Sequence, residues 1–229
     1  NEKWVGRGEW GKKEDYFSYV KGCDILSYDI YPIADLRIED NQNALWYVAK
    51  GVQNLIQWSN GSKIVWNCIE CTHIGNEQQK ATPLQVKAEV WMSIIHGSMG
   101  IIYFVHEFAP KFNEHALLDD PEMLESVTLL NRQIHSLAPT LNTSTIPNST
   151  LVHSENSEVP IATMEKVHEG KRYLFSVGMR NEETQVTFTL EKGMVNESVN
   201  VLGEDRQIAI QEGKWNDRFL PYEVHIYEF

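Results

Sequence analysis

The stretch KIVWNCIECTHIGNEQQKATPLQVKAEVWMSIIHGSMGIIYFVHEF, Lys63–Phe108, decides the fold. It opens with a nearly apolar run, Lys63–Ile69, and closes with a second one, Ile101–Val105. Between the runs, Thr82 and Gln85 are spaced as the capping box that starts a helix, with proline at the first helical position. The stretch therefore predicts a strand, a helix and a second strand parallel to the first.

The same alternation extends in both directions. Glu14–Lys21 predicts a short helix, Asp24–Tyr31 (DILSYDIY) a strand, and Asn43–Trp58 a helix with one apolar stripe. A further helix begins at Asp120-Pro121. Apolar strands separated by amphipathic helices indicate a parallel sheet buried on both faces, as in a doubly wound sheet or a (β/α)8 barrel. The dinucleotide-binding version is weakened because no GxGxxG follows any strand.

The last third of the chain has a different pattern. Ala138–Pro147 (APTLNTSTIP) predicts a linker, and beyond it Val159–Val167 and Lys171–Val177 flank a hairpin turn at His168-Glu169-Gly170. Several short alternating strands predict an antiparallel β-sandwich of about seven strands. The predicted fold class is therefore α/β followed by all-β, with domains at residues 1–137 and 138–229.

The amino-acid composition limits the classes of molecule that the protein could bind. The 229 residues carry 32 acidic and 20 basic side chains, a net charge of −12. This charge argues against nucleic acid and anionic membrane as partners, because both require a basic surface. Cys68 and Cys71 form one isolated CxxC, which indicates free thiols more than a redox or metal site.

Carboxylates follow all three predicted strands. Asp29 lies at the end of the first, Glu70 at the end of the second and Glu107 after the third. Carboxylates that converge at one edge of a sheet are suited to acid–base or nucleophilic chemistry. Glu70 is the strongest candidate, since an ionised group at the end of a buried strand is costly without a function.

Each of the other candidates has a plainer alternative. Asp29 could cap the loop that follows it, and His106 and Glu107 could be ordinary loop residues. Glu70, His73 and His106 could together hold a metal, but no HxH or HExxH motif supports this, so we predict no metal and no organic cofactor.

The segments YDIYP, KIVWNCIE, VKAEVWMSIIHGSMG and GIIYF resemble the retaining TIM-barrel glycoside hydrolases, the clan of β-galactosidases, cellulases, mannanases and xylosidases. The resemblance implies the last three βα units of a (β/α)8 barrel, followed by an accessory sandwich. It also implies that Glu70 is the nucleophile in hydrolysis of a β-linked glycan. The sugar-binding side chains it implies are those of Asp29, Tyr31, His106, Glu107 and Trp4. Where many members carry a tryptophan after strand eight, this chain has Val105-His106-Glu107.

A complete barrel of this kind needs about 250 residues, and only about 137 precede the predicted linker. We therefore expect the missing N-terminal half of the barrel, or a second chain, to complete it and to supply the acid/base glutamate. The expected substrate is an oligo- or polysaccharide and the expected location is secreted or periplasmic; four Asn-x-Ser/Thr sequons do not decide this. The alternative is a non-catalytic carbohydrate-binding protein on the same fold.

Overall fold

The computed structural model describes residues 13–147, 149–191 and 197–229. The chain divides into two compact units, Asn1–Glu125 and Ser126–Phe229. Among the described residues, no helix is both long and apolar enough to cross a bilayer.

The first unit alternates helices and strands in the predicted order. Its helices and strands are α1 Lys13–Tyr19, β1 Ile25–Asp29, α2 Tyr47–Trp58, β2 Ile64–Glu70, α3 Pro83–Ile95, β3 Gly100–Phe104 and the start of α4 Pro121–Leu141, with short 3-10 turns at Val20–Gly22 and Asn41–Asn43. The sheet order is β1-β2-β3, and both pairs are parallel. The predicted parallel strand–helix–strand arrangement is therefore present.

Local signals start the two helices that follow β2 and β3. The Thr82 hydroxyl accepts a hydrogen bond from the Gln85 N–H, and the Gln85 side chain accepts one from the Thr82 N–H, at 3.3 and 2.8 Å. Asp120 accepts from the N–H of Met123 at 3.2 Å at the start of α4. Both caps satisfy helix N–H groups that have no partner within the helix.

Helix α2 packs closely against one face of the sheet. Its buried residues join a cluster formed by Val20, Leu26, Val52, Leu55, Trp58 and Val65. The contact is closest at Gly51, where a Cβ would lie 1.9 Å from Cε1 of Tyr28 on β1. Only glycine fits at this position while the Tyr28 ring keeps its place.

The opposite face of the sheet is open within the described residues. Ile25, Ile64, Trp66 and Ile102 each expose between 38 and 44% of their surface. The sequence predicted burial on both faces, but the described chain covers one. A row of half-exposed apolar side chains on a parallel sheet marks a surface that another segment ordinarily covers.

The second unit consists of the rest of α4 and two antiparallel sheets. Its strands are β4 Thr145–Ile146, β5 Thr150–Ser154, β6 Ile161–His168, β7 Lys171–Gly178, β8 Thr184–Leu190, β9 Ser198–Val201, β10 Arg206–Ala209, β11 Lys214–Phe219 and β12 Val224–Glu228. One sheet has the order β10-β9-β12-β7-β6-β4 and the other β11-β8-β5. The predicted hairpin joins β6 to β7 through Glu169 and Gly170, both with positive φ, as a tight two-residue turn requires.

An aromatic core joins the two sheets. The rings of Phe188 and Trp215 stack at 4.9 Å in the three-stranded sheet. Tyr227 of the six-stranded sheet contacts both, at 5.1 and 5.6 Å. The sheets therefore share one apolar core.

The segment predicted as a linker is partly regular. Helix α4 continues to Leu141 and contains Pro139, and Thr145–Ile146 pairs with β6. A proline removes only its own N–H, and the helix goes on past it: Asn142 still donates to the carbonyl of Ala138 at 3.0 Å.

A charged network crosses between the sheets of the second unit. The Arg206 guanidinium donates to both oxygens of Asp217 at 3.0 and 2.8 Å, and the Tyr227 hydroxyl donates to the same carboxylate at 2.7 Å. The Asp217 side chain is only 9% exposed. Bidentate pairing of this kind is the strong form of an ion pair.

We expect Asp217→Asn to lower the free energy of unfolding by about 1–3 kcal/mol, because hydrogen bonds to a buried charge are lost. Urea denaturation followed by tryptophan fluorescence measures this. Glu183→Gln is the control, since Glu183 pairs with Arg218 where both side chains are more than half exposed, and its loss should stay below about 1 kcal/mol. Equal losses in the two variants would contradict the prediction.

Candidate active site at the carboxyl end of the parallel sheet

The three parallel strands end at one edge of the sheet. In the register Asp29 lies beside Cys68, and Glu70 beside Phe104. The ring of Tyr31, which follows β1, lies 5.2 Å from that of Phe104 on β3. Side chains from the outer strands thus meet at the end of the middle strand.

Glu70 ends the middle strand and is fully buried. Its Oε1 accepts a hydrogen bond from the N–H of Ile33, and its Oε2 accepts one from the N–H of Ala34, both at 2.7 Å. Ile33 and Ala34 are also buried and lie in the loop after β1. The carboxylate therefore fixes that loop to the end of β2.

A second buried carboxyl group, Glu89, lies beside Glu70. It is on α3 and fully buried, and neither of its oxygens receives a hydrogen bond from a donor in the described chain. Glu89 was not among the residues predicted from the sequence. The available signal was the polar series Gln85, Glu89 and Ser93, spaced by four residues on a helix whose other buried residues are apolar.

Burial raises the pKa of both carboxyl groups. For Glu70 the two backbone N–H donors act in the opposite direction, because they stabilise the ionised form. For Glu89 the negative charge of Glu70 adds to the effect of burial, so its pKa lies well above the ordinary value. Of the two groups, Glu70 therefore ionises first and Glu89 keeps its proton.

Asp29 and Tyr31 lie at the same edge. Asp29 is exposed and Tyr31 is half-buried. Burial, and then the charge of Asp29, raise the pKa of the Tyr31 phenol, so the phenol stays protonated and can donate a hydrogen bond. Burial followed by the same charge raises the pKa of the Cys68 thiol. Both groups therefore remain neutral beside Asp29.

Glu107 and His106 connect the loops after β2 and β3. Glu107 Oε1 accepts from the N–H of His73 at 3.0 Å, and the Glu107 backbone pairs with Asn113 through two bonds of 2.9 Å. The His106 carbonyl accepts from the Thr72 hydroxyl at 2.8 Å. Glu107 therefore joins the loop after β3 to the loop after β2.

An aromatic row runs outward from the strand ends. The His106 ring lies 5.7 Å from Phe104 and stacks on Phe112 at 6.1 Å, and Phe112 lies 5.8 Å from Phe108. Phe108 and Phe112 are each 56% exposed. His106 was predicted from the sequence as a site residue, whereas neither phenylalanine was. Exposed rings beside polar groups provide flat apolar faces for a ligand.

Two further candidates from the sequence are Trp4 and the alternative metal site, and the role of Trp4 stays a prediction. Trp4 lies outside the described residues. The residues proposed as an alternative metal site do not form one in the described chain, which has no group of three or more His, Cys, Asp or Glu arranged to hold a metal. The Nδ1 of His73 instead lies 2.9 Å from the carbonyl of Asn76.

No protein-family model matches the chain, and no curated protein sequence matches it. Solved structures show a likeness in fold. An α-amylase from Geobacillus thermoleovorans complexed with acarbose superposes with a TM-score of 0.55 and 10% identity, over 95% of this chain and 57% of the amylase. AmyP in complex with maltose gives 0.54 and 8%, over 80% of this chain and 48% of AmyP.

The chain shares the fold of the corresponding parts of these structures. A maltogenic α-amylase from Thermotoga neapolitana extends the likeness to 100% of this chain and 63% of the amylase, with a TM-score of 0.50 and 12% identity. The chain thus spans about half the length of the first two structures. The predicted fold is confirmed at this level, whereas the β-galactosidase and cellulase clan stays a prediction because these neighbours are α-amylases.

We expect Glu70→Gln to loosen the loop after β1. The amide of glutamine has one acceptor oxygen, so either Ile33 or Ala34 loses its partner and a buried N–H is left unsatisfied, at a cost of about 1–3 kcal/mol. Hydrogen exchange of those two amides should accelerate. Glu107→Gln keeps an acceptor for the N–H of His73 and should leave exchange at Ile33 and Ala34 unchanged; unchanged exchange in Glu70→Gln as well would contradict the assigned contacts.

Proposed function

We propose that this chain is part of a glycoside hydrolase that cleaves a β-linked oligo- or polysaccharide by a retaining double displacement, with Glu70 as nucleophile. The observation that carries the proposal is the Glu70 carboxyl group, which accepts two backbone N–H bonds at the end of the middle strand, at the same edge as Asp29 and Tyr31. The shared fold supports this choice. The β-linkage rests on the sequence resemblance.

In the proposed reaction an oxygen of Glu70 attacks the anomeric carbon while the glycosidic C–O bond breaks. The leaving oxygen takes a proton from an acid/base glutamate about 5–5.5 Å away, which the proposal places upstream of this chain. Water then attacks the glycosyl ester, gives its proton to that glutamate and releases Glu70. No metal or organic cofactor takes part in this scheme.

The groups around Glu70 are suited to hold a sugar. Asp29 is exposed and accepts hydrogen bonds from hydroxyl groups, and the neutral Tyr31 phenol can donate one. Phe108, Phe112 and the His106 ring offer apolar faces for pyranose rings. In this proposal Glu107 holds the loop that carries these rings and so affects sugar binding through them.

The open face of the sheet is part of the same proposal. Its half-exposed residues, among them Ile64, Trp66 and Ile102, would be covered by the missing N-terminal half of a (β/α)8 barrel or by a second chain. The described strands β1, β2 and β3 would then be its last three, and the two-sheet unit its accessory β-sandwich. A secreted or periplasmic location follows from a polymeric glycan substrate.

One observation favours a second candidate, a non-catalytic carbohydrate-binding protein. Glu70 has no exposed surface, and both of its oxygens are occupied by backbone N–H groups. A sugar reaches the carboxylate only if the loop containing Ile33 and Ala34 yields. If that loop stays closed, the edge binds glycans without cleaving them.

A measurement of turnover distinguishes the glycoside hydrolase from the non-catalytic carbohydrate-binding protein. The complete natural protein should release product from aryl β-glycosides, and Glu70→Gln should lower kcat by at least about a thousandfold because the glycosyl ester no longer forms. If azide restores activity to Glu70→Ala and the product is an azido sugar, Glu70 is identified as the nucleophile. The control is Glu125→Gln, an exposed carboxylate on α4. Glycan binding without turnover in the unaltered protein would instead establish the second candidate.

The aromatic row gives a separate prediction. Phe112→Ala should weaken glycan binding about threefold to tenfold, in line with about 0.5–1.5 kcal/mol for one aromatic contact. Isothermal titration with oligosaccharides measures it. Phe17→Ala is the matched control, because Phe17 is similarly exposed on α1, the helix that leads into the opposite end of β1. Equal affinity of the Phe112 variant and the unaltered protein would remove the row from the site.

A further inference from the structure

We propose that Glu89 is a positioning residue: as a protonated carboxyl group it donates a hydrogen bond to the Glu70 carboxylate and holds it in place. Its effect on turnover rests on the proposed function. Its effect on the geometry of Glu70 does not.

The carboxyl groups of Glu89 and Glu70 lie within hydrogen-bonding reach of each other. Both oxygens are buried, and no N–H or O–H of the described residues donates to either. Helix α3 is fixed at this point, since the Ser93 hydroxyl donates to the Glu89 carbonyl at 2.7 Å and the Asn67 amide on β2 donates to Ser93 at 2.8 Å. The helix thus carries the Glu89 side chain to the end of β2 at a fixed depth.

A single proton shared by the two carboxyl groups removes the repulsion between them. Two ionised carboxylates side by side without solvent repel each other strongly, so one member of such a pair is neutral. Glu70 has two N–H donors that favour its ionised form, and Glu89 has none. The assignment of the proton to Glu89 follows from this asymmetry.

Within the described part of the chain, the one cation that acts on this cluster is Lys80, which lies in the field of Cys71 and is paired with Asp120. Asp35, in the loop after β1, adds negative charge near Glu70 and is itself paired with Arg37. Tyr31 and Cys71 lie within the field of Glu70, and burial raises the pKa of each, so both are neutral. The proton on Glu89 therefore keeps the cluster from holding a second buried negative charge.

The Glu70 carboxylate thus has three donors: two from the loop after β1 and one from α3. The first two connect it to the segment that carries Tyr31, and the third connects it to the helix layer. Removing the proton of Glu89 would add a second buried negative charge and push Glu70 away from Ile33 and Ala34.

The variant Glu89→Gln tests whether Glu89 carries a proton in the folded chain. Glutamine is neutral at every pH and its amide can donate to Glu70. A carboxyl group whose pKa is raised in the folded chain is fully stabilising only below its ordinary value of about 4.5, and the contribution is lost as the pH rises. The melting temperature of the unaltered chain should therefore fall between pH 5 and pH 8 by at least about 4 °C more than that of Glu89→Gln.

The control is Glu125→Gln, which should keep the pH dependence of the unaltered chain. Equal pH dependence in Glu89→Gln and the unaltered chain would overturn the proposal. If Glu89→Gln does not fold, infrared spectroscopy of the unaltered chain at pH 7 decides. A protonated-carboxyl C=O band shielded from solvent exchange supports the proposal, and its absence overturns it.

The effect of Glu89 on turnover is measured in a separate experiment. In the active complete protein, Glu89→Gln should retain kcat near pH 6 and extend activity to higher pH, whereas Glu89→Leu should lower kcat and accelerate exchange of the Ile33 and Ala34 amides. An unchanged pH profile together with a confirmed proton would show that Glu89 is structural only. If the protein has no hydrolase activity, the proposed function fails while the melting and infrared results still test the proton.

Discussion

The acceptance of two backbone N–H bonds by one buried carboxylate determines the organisation of the first unit. Glu70 belongs to the middle strand, its donors belong to the loop after the first strand, and its neighbour Glu89 belongs to the following helix. A buried ionised group is tolerated only when its hydrogen bonds are made. The strand ends, the loop and the helix layer are therefore held in one arrangement around the Glu70 carboxyl group.

Much of the fold could be predicted because its signals are local. The capping box at Thr82 and the tight turn at Glu169-Gly170 depend on residues close in sequence. The path of α4 through Pro139 could not be predicted, since composition does not show where a proline can be accommodated. Strand β7 shows a further limit of sequence patterns, because Leu174, Phe175 and Val177 are all buried and alternation does not mark a single inward face. A central strand buried on both faces has no polar side to reveal its orientation.

The candidate site was predictable only in part. Parallel strands place their carboxyl ends together, so the sequence was sufficient to bring Asp29, Glu70 and Tyr31 to one edge. It could not show that Glu70 turns into the protein and binds the loop after β1, because that depends on contacts 36 and 37 residues away. Glu89 escaped notice for a related reason: a glutamate on a helix is ordinarily solvated, and only the packing of α3 shows that it is not.

The contact between Gly51 and Tyr28 links helix α2 to the geometry of the site. Tyr28 immediately precedes Asp29, and its ring occupies the space that any side chain at position 51 would need. A larger residue there would move the ring and, with it, the end of β1. In a comparison among homologous proteins, the residue at position 51 would thus act as a diagnostic character: glycine would accompany the strand-end geometry seen here, and any other residue would mark a lineage in which Asp29 occupies a different place.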